Sequence, residues 1–324
     1  MNVLITGGAG FIGSHVAHAL LIRGDSVVII DDFNDRYDPR LKEARVAHMF
    51  LDSKKPEVIR GDILDQELLE KIIVEHEIDS VIHLAAWASV QPSIQQPRVY
   101  SDVNVTGTVS VLEAARKHGI KRIVAASSSS VYGGTTEMPF REDMDIMHPQ
   151  SPYAATKAAT ELMCATWNHL YGIPTTCLRF FTVYGPWGRP DMSAFIFTKA
   201  ILDGTPLPVF NQGEMRRNFT YVDDIVKGTI ASLDKPCQNN LARVYNIGNN
   251  RSEHLLDFIG VLEKELGKKA KIDFQPIQPG DVKETIADIS ETTRDFGFMP
   301  TTHIETGLKN FVHWYRSFYA TIPA

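Results

Sequence analysis

The chain has 324 residues, 44% hydrophobic and 22% charged, with a formal net charge of −6. This is enough for one large α/β unit or two intimate lobes, and the acidic balance argues against nucleic acid as a partner, which calls for a basic excess. Cys164, Cys177 and Cys237 show no CxxC spacing, so neither a disulfide framework nor a metal site is expected. No apolar run approaches the roughly 20 residues of a membrane span, and the opening MNVLITGG reads as a strand rather than a leader. The expected location is cytoplasmic, with no membrane partner.

In chain order, strands are expected at Val3–Thr6, Ser26–Asp31, Glu57–Arg60, Ser80–Ala85, Arg122–Ala126 and Thr175–Phe180. Helical spacing runs through Ile12–Arg23, Gln66–His76 and Val105–His118 between them. Such alternation predicts an α/β fold, a doubly wound parallel sheet with helices on both faces. The strands are rich in Val and Ile with little alternation, as strands buried on both faces should be. From Thr182 proline and glycine become dense. A later strand, Arg243–Ile247, is expected to join the main sheet. A helix at Leu255–Leu266, a strand at Lys271–Phe274, a loop at Pro279-Gly280 and a helix around Glu305–Tyr319 follow. The expected division is a nucleotide domain of 1–181 plus about 221–250, and a smaller C-terminal α/β substrate lobe of 182–220 plus about 251–324.

Residues 7–13 read GGAGFIG, after a strand and opening a helix. That context marks a Rossmann dinucleotide fingerprint: Gly7, Gly10 and Gly13 clear the backbone for a pyrophosphate, and Phe11 and Ile12 open the helix whose N-terminus attracts it. Asp31 closes the second strand, eighteen residues after Gly13. A carboxylate there binds ribose hydroxyls and repels the extra phosphate of NADP, so NAD is the expected cofactor. Asp32 adds to that charge, and Asp62-Ile63 ends the third strand where a carboxylate can meet the adenine.

Ser151-Pro152-Tyr153-Ala-Ala-Thr-Lys157 starts a helix, with Ser151 as N-cap and Pro152 in the first helical position. Tyr153 and Lys157 then share a face. An ammonium near a phenol stabilises the phenolate, and a phenol so tuned can take a proton from a sugar hydroxyl. Taken alone, the spacing ordinarily means a packed tyrosine and a surface lysine. Upstream, Ser127, Ser128, Ser129 and Ser130 end a strand at the sheet's C-terminal edge, where ligands bind.

Together these residues resemble the extended short-chain dehydrogenase/reductase family of nucleotide-sugar epimerases and dehydratases. The likeness runs along nearly the whole chain, through HLAA (His83–Ala86), Asn104-x-x-Gly107-Thr108, SSSSVYG, YxxxK and RNFTYVDD (Arg217–Asp224). Within the family it is greatest to UDP-glucuronate 4-epimerases, on Arg179–Met192, Asp31–Arg45 and Pro300–Tyr315. The resemblance implies a retained NAD and a transient 4-keto sugar. Tyr153 would take the 4-hydroxyl proton, Lys157 would tune Tyr153 and hold the nicotinamide ribose, and Ser128 would be the third catalytic residue. It further implies cofactor contacts from Asn34, Leu84, Ala85, Ala86, Asn104 and Phe180. Ser89, Ser129, Ser130, Thr182 and Arg189 would meet the sugar, with Arg189 reading a carboxylate. Phe195, Phe197, Lys199 and Phe210 would line the nucleotide end, and Arg217 and Asp281 would hold the diphosphate and uridine ribose. Family members commonly dimerise through the helices starting near Ser101 and Pro152, so a homodimer is expected.

Related chemistries are disfavoured at two positions. The family's dehydratases carry Asp-Glu where this chain has Ser129-Ser130, and its decarboxylases carry Glu where Ser130 stands. One stretch points elsewhere. Many glucuronate epimerases have a Gly-Val-Arg loop after HLAA, whereas Trp87–Ser93 here looks more like epimerases of neutral UDP-hexoses. Arg189 could also simply pair with Asp191. A neutral UDP-hexose 4-epimerase therefore stays open, as does a non-catalytic NAD-binding regulator on the same fold.

Overall fold

The computed structural model describes residues 1–51, 54–235, 242–277 and 282–321. Cys237 and the Pro279-Gly280 loop lie outside the described residues. Six strands run in the order of the chain: β1 (Asn2–Thr6), β2 (Ser26–Asp31), β3 (Glu57–Arg60), β4 (Ser80–His83), β5 (Arg122–Ser128) and β6 (Thr175–Phe180). Four short ones follow, β7 (Thr182–Tyr184), β8 (Pro206–Phe210), β9 (Arg216–Arg217) and β10 (Phe219–Tyr221). Then come β11 (Arg243–Ile247), β12 (Glu253–His254) and β13 (Lys271–Gln275).

The main sheet has seven strands in the order β11-β6-β5-β4-β1-β2-β3, all parallel. The chain starts in the middle, winds outward through β2 and β3, then returns to the other side of β1 with β4. The loops after β1 and β4 therefore part from each other, and the crevice between them is where such sheets bind ligands. Expected and observed strands agree to within one or two residues, β5 running on to Ser128 and β4 stopping at His83.

Period-two alternation along β1 explains the unbroken apolar runs. Val3 and Ile5 enter one core with Val16 and Leu20, while Leu4 enters the other with Val28, Leu69 and Ile72. Both faces are buried, so both parities are apolar. The first core runs without a break into the C-terminal lobe, reaching Phe258, Phe311 and Tyr315. The lobe's strands pair two by two, β7 with β10, β9 with β12 and β8 with β13. Among the described residues, no helix is long and apolar enough to cross a membrane.

Three polar features under the site organise this frame. The helix Pro152–Tyr171 begins as its sequence predicts, with Ser151 Oγ accepting from Ala154 N (3.1 Å), and it stops at Gly172 in the left-handed conformation. Glu161 on that helix receives Arg179 of β6 through two bonds of 2.9 and 2.8 Å, with both side chains at most 5% exposed. His83 closes β4 between Thr6 Oγ1 (2.7 Å) and Thr108 Oγ1 (3.1 Å), and burial together with the Lys157 charge pushes its pKa down to about 3.

Two measurements check these features. Glu161→Ala leaves the Arg179 charge buried without a partner and is expected to cost about 3–5 kcal/mol in urea unfolding. The folded protein resists protonating His83, while an unfolded chain takes up the proton near the ordinary 6.5. Stability from this group is intact above pH 6.5 and falls away as pH drops toward 3. The melting temperature of His83→Gln is expected to fall less steeply over that range than that of the parent.

Candidate active site

The crevice is built outward from the glycine turn. Gly7 has φ +69°, and a Cβ there would sit 2.7 Å from Ala85 N. A Cβ on Gly13 would strike Gly7 O and come within 2.8 Å of Gly8 Cα. These glycines are required first by the turn folding on itself, and the open backbone that results suits a pyrophosphate. Phe11 starts the helix Phe11–Arg23 at this point, so its unbonded N–H groups face the cleft.

Asp31 lies at the cleft wall in a more crowded setting than the sequence suggests. Its carboxylate accepts from Ala9 N (3.1 Å), Phe33 N (2.9 Å) and Lys42 Nζ (2.9 Å), and the Asp31–Lys42 pair is buried. Asp32 binds Asn34 Nδ2 (2.8 Å) and lies 3.4 Å from Lys42. Asp62 Oδ1 accepts from Leu64 N (2.9 Å) beside Ile63. Gly10, Ile12, Leu84, Ala85, Ala86 and Phe180 complete this end of the lining. Glycine cradle, helix N-terminus and carboxylate together fit an NAD-sized dinucleotide.

Asn104 lies outside this lining. It sits in a π-helical turn, Asp102–Thr106, and is buried away from the lining. Its side chain latches the Trp87 backbone on both sides, to N (2.8 Å) and O (2.9 Å), and donates to Thr156 (3.0 Å). It holds the loop after β4 against the Tyr153 helix.

Tyr153, Lys157, Ser128, Ser129 and Ser130 all meet in the cleft. Lys157 is buried and donates to Ala126 O (2.8 Å); burial pulls its pKa down to about 8. Burial pushes the Tyr153 phenol up, and the groups that pull it back are the Ser128 hydroxyl and the Arg189 charge. In this arrangement Lys157 is anchored to the sheet. Ser128 Oγ in turn accepts from Ser130 N (3.2 Å) and Ser130 Oγ (3.0 Å). Ser127 is instead buried and donates to Glu161.

Thr182, Ser89 and Arg189 also line the cleft. Arg189 does pair with Asp191, through Nε (2.9 Å), and it also donates to Ser89 Oγ (2.7 Å), which donates to Asp191 (2.8 Å). Arg189 keeps its place in the lining despite that pairing. Ser89 takes φ +91°, a conformation that favours glycine. Tyr100 holds it there, its hydroxyl donating to Ala88 O (2.8 Å) and Ser89 O (3.1 Å), with its ring edge-on to Tyr153.

Several residues expected at the nucleotide end lie outside this lining. Phe195 is buried among Phe311, Tyr315 and Tyr319, and Phe197 packs on Phe258; both are core of the lobe. Their helix, Ser193–Asp203, must bury one apolar face, and these rings supply it. Lys199 is exposed and pairs with Asp203. Phe210 ends β8, and Arg217 on β9 donates to Lys283 O (3.2 Å); neither is in the lining described above. Asp281 lies outside the described residues.

The sequence reading missed Arg36, Tyr37, Lys42 and Arg45. Arg45 is fully buried, and its guanidinium donates to Ala9 O (3.2 Å), Trp187 O (2.8 and 3.1 Å) and Tyr37 Oη (2.6 Å). It thus ties the glycine turn to the residues just before Arg189. Its only signal in the sequence is its place in the Asp31–Arg45 stretch.

Replacing Gly13 by alanine is expected to weaken NAD binding about tenfold or more, roughly 1.4 kcal/mol, because the turn must open to admit the methyl group. Titration of tryptophan fluorescence with NAD measures it.

The family model for the NAD dependent epimerase/dehydratase family matches residues 3–248. UDP-glucuronate 4-epimerase 4 of Arabidopsis thaliana is 45% identical over 335 residues, covering 99% of this chain and 76% of that one. The crystal structure of UDP-glucuronic acid 4-epimerase from Bacillus cereus, in complex with UDP-glucuronic acid and NAD, superposes with a TM-score of 0.91 at 36% identity, over 98% of this chain and 100% of the other. UDP-glucose 4-epimerase of Thermotoga maritima, with UDP-glucose, gives 0.86 at 30% identity, over 98% and 100%. The chain belongs to the NAD-dependent epimerase/dehydratase family.

Proposed function

We propose that this protein is an NAD-dependent UDP-sugar 4-epimerase that interconverts UDP-glucuronate and UDP-galacturonate through a transient 4-keto sugar. The observation that carries the reading is the meeting of Tyr153, Ser128 and Lys157 with Arg189 in one cleft beside the glycine turn. Gly7, Gly10, Gly13, Asp31 and Asp62 would hold the dinucleotide. When bound, NAD supplies a reversible hydride acceptor for C4 of the sugar. Tyr153 takes the 4-hydroxyl proton and later returns it. Ser128 bridges that proton and the tyrosine oxygen, and Arg189 stabilises negative charge on the phenol. Lys157, fixed on Ala126 O, places its charge under the site.

The uronate preference is supported by Arg189 and by the likeness to glucuronate epimerases. The neutral-sugar reading is supported by the Trp87–Ser93 loop and by the Thermotoga maritima relative. A homodimer through the helix Pro152–Tyr171 is supported by its outward face, where Leu162 and Leu170 are 61% and 58% exposed. Buried free thiols at Cys164 and Cys177 fit a cytoplasmic setting.

Two tests follow. Purified protein with NAD is incubated separately with UDP-glucuronate and UDP-glucose, and the C4 configuration of the products is read by proton NMR. Conversion of UDP-glucuronate is expected to dominate; preferential turnover of UDP-glucose would overturn the uronate reading. Tyr153→Phe is expected to lower kcat by about 10²–10⁴, and Arg189→Ala to lose far more activity on UDP-glucuronate than on UDP-glucose. Leu162→Glu is expected to give a monomer by light scattering; an unchanged mass would reject that dimer face.

A further inference from the structure

Arg189 is already committed. Its Nε and one Nη donate to Asp191, and the same Nη reaches Ser89. The planar fork that would grip a carboxylate with two parallel bonds is therefore taken up by a carboxylate of the protein itself. A second cation lies beside it. Arg36, from the loop after β2, lines the same cleft, and its Nη2 is 3.8 Å from Asp191 Oδ2. The same nitrogen donates to Ala88 O (3.2 Å), and the guanidinium lies 5.9 Å from the centre of the Trp87 ring. Its Nε is buried and has no hydrogen-bond partner among the described residues. A buried donor without an acceptor is costly, and it normally signals a partner that arrives later. Two guanidiniums thus flank one carboxylate, which leaves an excess positive charge beside Tyr153.

We propose that Arg36 is a second recognition arginine of this site, forming with Arg189 a two-guanidinium socket for a carboxylate on the sugar, in which Asp191 is the internal counter-ion. The Arg36 guanidinium supplies charge to the incoming carboxylate from the cleft wall, and Arg189 contributes its Nη1. Asp191 keeps both arginines in place when no anionic sugar is bound. Ser89 links Arg189 to Asp191 and so fixes the width of the socket. The assignment rests on the uronate reading above and goes further by giving the selectivity to two side chains, one of them on the cofactor side of the cleft.

The test uses the full chain with NAD, and measures kcat and KM for UDP-glucuronate and for UDP-glucose in the parent, Arg36→Gln and Arg36→Lys. NAD affinity is followed by tryptophan fluorescence. The expected result is that Arg36→Gln lowers the ratio of kcat/KM for UDP-glucuronate over UDP-glucose about 10- to 100-fold, mainly through KM. Arg36→Lys is expected to restore part of that ratio, since it keeps the charge and loses the planar donors. A parent that prefers UDP-glucuronate, with the ratio unmoved in Arg36→Gln, would overturn the role of Arg36 alone. So would a loss of NAD affinity that lowers both sugars equally, because Arg36 would then serve the cofactor. A parent that turns over UDP-glucose and not UDP-glucuronate would overturn this assignment and the uronate reading together.

Discussion

A guanidinium buried without a carboxylate hydrogen-bond partner among the described residues is the constraint on which the cleft depends. Arg45 is fully buried, and neutral oxygens from Ala9, Trp187 and Tyr37 take most of its donors. Burial costs such a charge dearly unless those bonds are all made, so the three segments that supply the oxygens are held in one arrangement. One of them is the glycine turn, and another carries the residue next but one to Arg189. The spacing between the glycine turn and Arg189 is thus set by a side chain that stands outside the cleft lining.

Beside that brace, the chemical groups divide their work in a way the YxxxK spacing does not reveal. Lys157 is fastened to β5 through Ala126, and its ordinary pKa is pulled down by burial. Burial raises the Tyr153 phenol, and Ser128 and Arg189 pull it back. In the proposed reaction Arg189 would serve both the sugar and the base, so that a substrate carboxylate drawing on Arg189 would also change the field at the phenol.

Much of the architecture was legible because it is local. Strands buried on both faces are unbroken runs of Val and Ile, and β2, β3, β6 and β11 fall on their expected residues. The glycine turn and the Ser151-Pro152 cap are short motifs with fixed spacing, and they need no distant partner to be recognised. Of the short paired strands of the lobe only β13 was expected; the others are two to five residues long, too short for a period to show. Arg36, Lys42 and Arg45 lie in a polar stretch that reads as surface, and Arg36 and Arg45 gain their meaning from partners near Ala88 and Trp187. Phe195 and Phe197, aromatic residues expected at a ligand, pack on Tyr315 and Phe258 from the buried face of their own helix, a role that short-range spacing does not separate from ligand contact.

The continuous core has a consequence for attempts to re-engineer the protein. Because Val3 and Ile5 of the first strand belong to the same apolar body as Phe258 and Phe311, the C-terminal lobe is not a cartridge. A chimera that grafts this lobe from a relative would have to match the underside of the nucleotide sheet, side chain for side chain, before any new specificity could be seen. Arg36, Ser89, Arg189 and Asp191, by contrast, interact with one another from three loops outside that apolar body.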